Sequence, residues 1–341
     1  MKKRIMALAL TMTMVVAALA GCGSSSKETK AETKAAETTA ATEAAGETTA
    51  EVTGDAEYAV ILKTQASDFW VKMWNGVEEK AAELGIKVDI YAAQSEEDIE
   101  GQLAILESCI NKGYKGIAIA PLSPVNLVAG VAKATEAEIT VVNLDEKFDM
   151  DEMEKQGGAV VGFVTTDNVA VGAKGAGYIV DNVEAGSKVA VIEGKAGNTS
   201  GEDRKQGATE AFEAADLEVV GSLPADWDRQ KALDIAASFI QQNPDLKGIY
   251  CCNDTMALGA LQAVINADKL GEILVVGTDG DTEAVDSVNA GQLSATVAQD
   301  PAGIGAKGLE LLIEAVEAGN KGEVGVVPEM TPVDSTLIVK E

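Results

Sequence analysis

Charged and aromatic side chains recur at one kind of place in this chain, directly after short apolar runs. After Tyr58-Ala59-Val60-Ile61-Leu62 come Lys63, Thr64, Ser67, Phe69 and Trp70. After Val141-Val142-Asn143 come Asp145 and Glu146. Asn253-Asp254 follows Cys251-Cys252, Asp279 follows Val275-Val276-Gly277, and Gln299 follows Val297-Ala298. Thr166 stands in Thr165-Thr166-Asp167-Asn168, Arg204 just beyond a glycine-rich stretch, and Trp227 between Asp226 and Asp228. A carboxylate accepts hydrogen bonds from two neighbouring hydroxyls, and a guanidinium offers several donors in a fixed fork. An aromatic ring offers a flat apolar face to the C–H side of a pyranose. Such a set suits a polyol. Blander readings stand beside it: Asp145 as a helix cap or surface acid, and residues 165–168 as capping residues alone.

Other chemistries fit less well. The sequence has no histidine, which removes the commonest general base and the commonest metal ligand together. The first apolar run is not followed by G-x-G-x-x-G, so a dinucleotide site is not expected. The stretch Glu193-Gly194-Lys195-Ala196-Gly197-Asn198-Thr199-Ser200-Gly201 lacks the spacing of a phosphate loop. Cys22, Cys109, Cys251 and Cys252 match no zinc pattern. The last three read as small buried residues with no disulfide framework. No metal or cofactor is expected. A formal net charge of −28 repels phosphate backbones and excludes nucleic acid as a partner. A glycoside-processing enzyme using Asp145 with Asp279 or Glu146 is a rival reading, but nothing in the spacing fixes the required pair of acids.

The elements that must position these residues alternate. Apolar runs at 58–62, 86–91, 116–120 and 139–143 read as buried strands, separated by helical periodicities over 69–84, 96–112 and 126–135. After a polar stretch the cycle restarts, with strands at 160–164, 188–193, 217–221, 248–251, 273–277 and 294–298 and helices over 169–183, 203–215, 229–241, 257–265 and 304–318. Alternation of this kind implies parallel sheets covered by helices on both faces. The polar break at 149–158 divides the chain into two similar α/β lobes. Open parallel sheets bind ligands beyond the carboxyl ends of their strands, where the polar groups stand.

The first residues read as an address. Met1-Lys2-Lys3-Arg4 is cationic, residues 5–18 are apolar but too short for a comfortable span, and Leu19-Ala20-Gly21-Cys22 follows. That order resembles a bacterial lipobox, with cleavage before Cys22 and lipidation of it. Residues 23–56 are rich in Ser, Thr, Ala, Glu and Lys and read as a disordered tether.

The body resembles bacterial periplasmic sugar-binding proteins of the ribose-binding type. The carrying motifs include Val60-Ile61-Leu62-Lys63-Thr64, Phe69-Trp70, Asn143-Leu144-Asp145-Glu146-Lys147, Ile192-Glu193-Gly194-Lys195-Ala196-Gly197-Asn198, Asn253-Asp254-Thr255-Met256 and Val275-Val276-Gly277-Thr278-Asp279-Gly280. The resemblance implies two Rossmann-like lobes joined by a three-strand hinge, a type I periplasmic binding protein. It implies polar ligand contacts from Lys63, Asp145, Arg204, Asn253, Asp279 and Gln299, with Phe69, Trp70 and Trp227 sandwiching a sugar ring. Asp145-Glu146 resembles the allose-binding branch. Ser67 and Asp68 depart from the family, which usually has Asn and Pro there. Residues 57–166 with 300–328 are expected to form the first lobe, and 167–299 with 329–341 the second. The implied partners are a monosaccharide, an ABC permease and a membrane reached through Cys22, for a monomer. A chemotaxis or signalling receptor component would share the same site. A sugar-responsive repressor would need an N-terminal helix-turn-helix, which the lipobox and tether replace.

Overall fold

The computed structural model describes residues 55–340. Cys22, the expected leader before it and the expected tether as far as residue 54 lie outside the described residues. The first lobe runs β1 (Tyr58–Leu62), α1 (Asp68–Leu84), β2 (Val88–Ala92), α2 (Ile99–Lys112), β3 (Gly116–Ile119), α3 (Val128–Glu136), β4 (Thr140–Leu144), α4 (Met150–Gln156) and β5 (Phe163–Thr166). The second runs α5 (Asn168–Val180), β6 (Lys188–Glu193), α6 (Thr199–Ala214), β7 (Glu218–Pro224), α7 (Arg229–Gln242), β8 (Leu246–Cys251), α8 (Asp254–Asn266), β9 (Leu274–Asp279), α9 (Thr282–Asn289) and β10 (Ala295–Ala298). The chain then supplies α10 (Pro301–Glu317), β11 (Met330–Val333) and β12 (Thr336–Val339).

Each lobe is built on a six-stranded sheet, ordered β11-β5-β4-β3-β1-β2 in the first and β12-β10-β9-β8-β6-β7 in the second. All pairings are parallel except β10 with β12. The two orders match strand for strand, with β1 and β6 as counterparts, and differ only in the direction of the last strand, β11 parallel and β12 antiparallel. In each, strand order reverses beside that counterpart, which opens a crevice at the carboxyl ends of the strands. Period-two alternation explains why β1 has no polar face. Tyr58, Val60 and Leu62 enter the core under α1 and α10, while Ala59 and Ile61 enter the one under α2 and α3.

The chain crosses between the sheets three times: from β5 to α5, from β10 to α10, and from β11 to β12. The last crossing corrects one expected boundary. Residues 329–341 do not all belong with the second lobe, because β11 pairs with β5 in the first sheet. β11 shows no apolar run, and β12 carries only the short Leu337-Ile338-Val339. Both are edge strands, and β11 carries Pro332, which an edge tolerates because one side of its ladder is unpaired. Helix α4 falls in the polar break and buries only Met153, so it lacks the stripe that betrays a helix in sequence.

Candidate functional site

A cavity of about 230 Å³ lies between the lobes at the carboxyl ends of both sheets. Its lining includes Lys63, Ser67, Phe69, Trp70 and Asp145 from the first lobe, and Arg204, Trp227, Asn253 and Asp279 from the second. Nine of the residues singled out from sequence therefore meet in one place. Gln299 and Thr166 are buried but stand outside that lining. Gln299 Nε2 donates to Asp279 Oδ1 at 2.7 Å, so it holds a lining residue from behind. Thr166 ends β5 at the first crossing, with Oγ1 buried and unpartnered.

Local structure explains how the polar groups are aimed. On the first lobe, Asn143, next to last in β4, ties the following loop: its Nδ2 donates to the Glu146 carbonyl at 2.8 Å, and its Oδ1 accepts from Phe148 N at 3.1 Å. Thr165 Oγ1 donates to the Asp145 carbonyl at 2.8 Å. The turn so fixed holds Asp145 at a positive φ of 56°. Lys63 Nζ stands 3.9 Å from Asp145 Oδ2 and 5.4 Å from the centre of the Trp70 ring. Trp70 and Phe69 meet edge to face at 4.9 Å, and Trp70 Nε1 donates to Glu96 Oε1 at 3.0 Å.

On the second lobe, Arg204 is held by three acceptors. Its Nε donates to Asn168 Oδ1 at 2.8 Å, its Nη1 donates to the Cys252 carbonyl at 2.8 Å, and Nη1 faces Asp279 Oδ1 at 3.5 Å. The remaining guanidinium nitrogen is free of this frame. Asn253 caps α8 through Oδ1, which accepts from Met256 N at 2.9 Å, so its amide nitrogen is left for the cavity. Trp227 adopts a positive φ of 63° and Asp279 one of 127°. Asp145, Trp227 and Asp279 thus all hold backbone conformations that side chains disfavour, the kind of strain that fold contacts sustain where a side chain must be aimed.

Burial sets the charge states. Desolvation pushes Asp279 up to about 7, against the opposing pull of Arg204. Desolvation likewise pushes Asp145 up to about 6, with Lys63 pulling the other way. For Lys63 itself, burial lowers the value, but Glu146, Glu96 and Asp145 together hold it above the ordinary lysine range. Cys109 and Cys252 are buried free thiols pushed up to about 12 by burial, inert as nucleophiles.

Sequence reasoning missed Glu96, which lines the cavity with Oε2 buried and unpartnered. It follows β2 at the crevice, so the same after-strand rule points to it. Asn168, which orients Arg204, gives no such signal, because a polar residue at the start of a helix, next to the cap Asp167, is expected in any case. The chemistry is that of an enclosed receptor. Acceptors and donors of both signs line opposite lobes, with aromatic surfaces on each side. The volume lies below the ~300–1,000 Å³ usual for drug-sized ligands.

The match to known proteins is extensive. A family model for the periplasmic binding protein domain matches residues 58–321. The D-allose-binding periplasmic protein of Escherichia coli is 57% identical over 287 residues, covering 84% of this chain and 92% of that protein. The ribose import binding protein RbsB of the same organism is 33% identical, covering 83% of this chain and 90% of that one. Among solved structures, an ABC transporter periplasmic solute binding protein from Actinobacillus succinogenes with bound D-allose superposes with a TM-score of 0.76 at 30% identity, covering 84% of this chain and 98% of that one. With its doubled sheet topology and three crossings, this chain belongs to the periplasmic binding protein family, in the two-lobed type I form.

Proposed function

We propose that the cavity captures one monosaccharide of the D-allose type and that the loaded protein delivers it, chemically unchanged, to an ABC permease. The observation that carries this reading is the pairing of aromatic and charged walls across the cleft. Phe69 and Trp70 stand on one lobe and Trp227 on the other, and Lys63 with Asp145 is matched by Arg204 with Asp279. A sugar ring has two apolar C–H faces and a polar rim, and it fills such a space in one orientation. Contact with both lobes is available only when they are closed, so binding favours closure by population shift. Lipidation of Cys22 would hold this monomeric receptor at the outer face of the cell membrane, beside the permease. Mass spectrometry of the membrane-extracted protein tests that anchor.

The direct test is a thermal-shift and tryptophan-fluorescence screen of aldohexoses and aldopentoses. D-Allose is expected to raise Tm most, by mass action on the folded state. No response to D-allose, D-ribose or their epimers would overturn the assignment. Two carboxyls lining one cavity, one of them raised enough to hold a proton, are also what a glycoside-processing site requires. Turnover of a glycoside during incubation would favour that chemistry instead.

The raised carboxyls give a pH dependence of definite sign. Between about pH 4 and 7 the folded protein holds protons on Asp145 and Asp279 that the unfolded chain has released. Their contribution to ligand-free stability is therefore full at acid pH and is lost as pH rises through about 6 and 7. Sugar hydroxyls donate to the ionised carboxylates, so binding runs the other way. Kd is expected to rise at least about tenfold from pH 8 to pH 5, with proton release on binding near pH 6.5. Calorimetry in buffers of different ionisation enthalpy measures both, and a flat profile would refute the assignment of Asp145 and Asp279 as hydroxyl acceptors.

A further inference from the structure

Helices α1 and α6 are counterparts in the two lobes, following the counterpart strands β1 and β6 at the crevice. Neither N-cap side chain, Ser67 or Asn198, caps its own helix. Ser67 lines the cavity, whereas Asn198 Nδ2 crosses the cleft to donate to the Leu122 carbonyl at 3.1 Å. The open end of α6 is filled from the opposite lobe. Glu146 Oε1 accepts from Thr199 N, and Glu146 Oε2 accepts from Ser200 Oγ at 3.0 Å. The same Oε2 accepts from Lys63 Nζ at 3.3 Å. Glu146 is fully buried and does not line the cavity.

We propose that Glu146 is the interlobe latch: a positioning residue that caps α6 across the cleft and holds Lys63 toward the ligand. Two physical effects favour it. A carboxylate at a helix N-terminus meets the positive end of the helix dipole and unsatisfied N–H donors. Excluded from water, its charge-assisted bonds strengthen once the lobes meet. When the lobes part, the α6 end and the carboxylate both return to water, so the latch acts on the closed state alone. Other links cross the cleft, such as Lys72 Nζ to the Gly280 carbonyl at 3.1 Å and Lys195 Nζ to the Glu96 carbonyl at 3.1 Å, but both lysines are partly exposed. Asn198 is buried as Glu146 is, but Glu146 alone of these joins the closure contact to a side chain that lines the cavity, Lys63.

The test compares Glu146→Gln, which keeps the reach and loses the charge, with Glu146→Asp, which keeps the charge and loses the reach. Folding is verified by circular dichroism. Two readouts separate the latch from a ligand contact. Ligand-free interlobe distances, measured with spin-label pairs on exposed helix faces, are expected to shift toward longer separations in both variants. Stopped-flow fluorescence with D-allose is expected to show koff raised about tenfold or more with kon little changed. Wild-type distances and koff in both variants would overturn the proposal. The kinetic arm rests on the sugar-binding reading. If the wild-type protein takes no sugar, that reading fails while the ligand-free distances still decide the latch.

Discussion

Asp279→Ala is expected to weaken sugar binding by about 2–4 kcal/mol, a rise in Kd of about 30- to 1,000-fold. Asp279 carries much of the second lobe's polar wall. Its Oδ1 takes the Gln299 amide at 2.7 Å and faces Arg204 Nη1 at 3.5 Å, and it lines the cavity from a strained φ of 127°. Truncation removes the acceptor offered to sugar hydroxyls and also a charge that steadies Arg204. Arg204 keeps its bonds to Asn168 and the Cys252 carbonyl, so the guanidinium stays buried with part of its frame intact. Desolvation already burdens the ionised Asp279 carboxylate, which offsets part of the cost of losing the ion pair. The loss should therefore fall on affinity more than on folding. Calorimetry at pH 8 measures the first and ligand-free melting the second. Unchanged affinity would remove Asp279 from the site. Asp279→Asn, which keeps the shape, should flatten the acid limb of the pH profile.

How much of this was legible in the sequence follows from which interactions are local. Strand runs such as Tyr58–Leu62 are read directly, because a strand buried on both faces has no polar alternation to hide it. Helix ends were legible where glycine stops them: Gly85 and Gly113 take the left-handed conformation that terminates α1 and α2. The start of α6 was not. Residues 199–202 look like the tail of a glycine-rich loop, and they become helical with Glu146 of the other lobe against the helix end. The after-strand rule found Lys63, Asp145 and Asp279 because a parallel sheet puts such residues at one edge whatever the details. It also drew in Gln299, which supports Asp279, because the rule sees which edge a residue occupies and not which neighbour it faces. Glu146 was visible only through its neighbour Asp145, as a shared family motif or a second acid, and not as a contact between lobes. Its place depends on how the lobes meet, and neither lobe's own sequence pattern encodes that.

Trp227→Ala is expected to cost at least about 2 kcal/mol of sugar affinity, about thirtyfold in Kd, because it removes the aromatic wall supplied by the second lobe. Less apolar surface is then buried on binding, so the negative heat-capacity change of binding should shrink as well. The position of the ring depends on a residue behind it. A Cβ on Gly194 would stand 2.0 Å from Trp227 Cη2, and one on Gly201 would stand 3.1 Å from the same atom. The indole therefore lies flat on backbone that has no side chains. Gly194 does not need glycine for its own backbone angle, since it is absent from the positive-φ glycines. Gly194→Ala should then fold normally and push the indole into the cavity, which has little room to give. Affinity is expected to fall, and the fluorescence response to D-allose to change, although residue 194 is outside the cavity lining. If Gly194→Ala binds D-allose as the wild type does while Trp227→Ala does not, the ring is held by the positive-φ turn at Asp226 and Trp227 and not by its glycine bed. If neither substitution alters affinity or the heat-capacity change, Trp227 is no wall of the site, and the aromatic pairing across the cleft is not what holds the sugar.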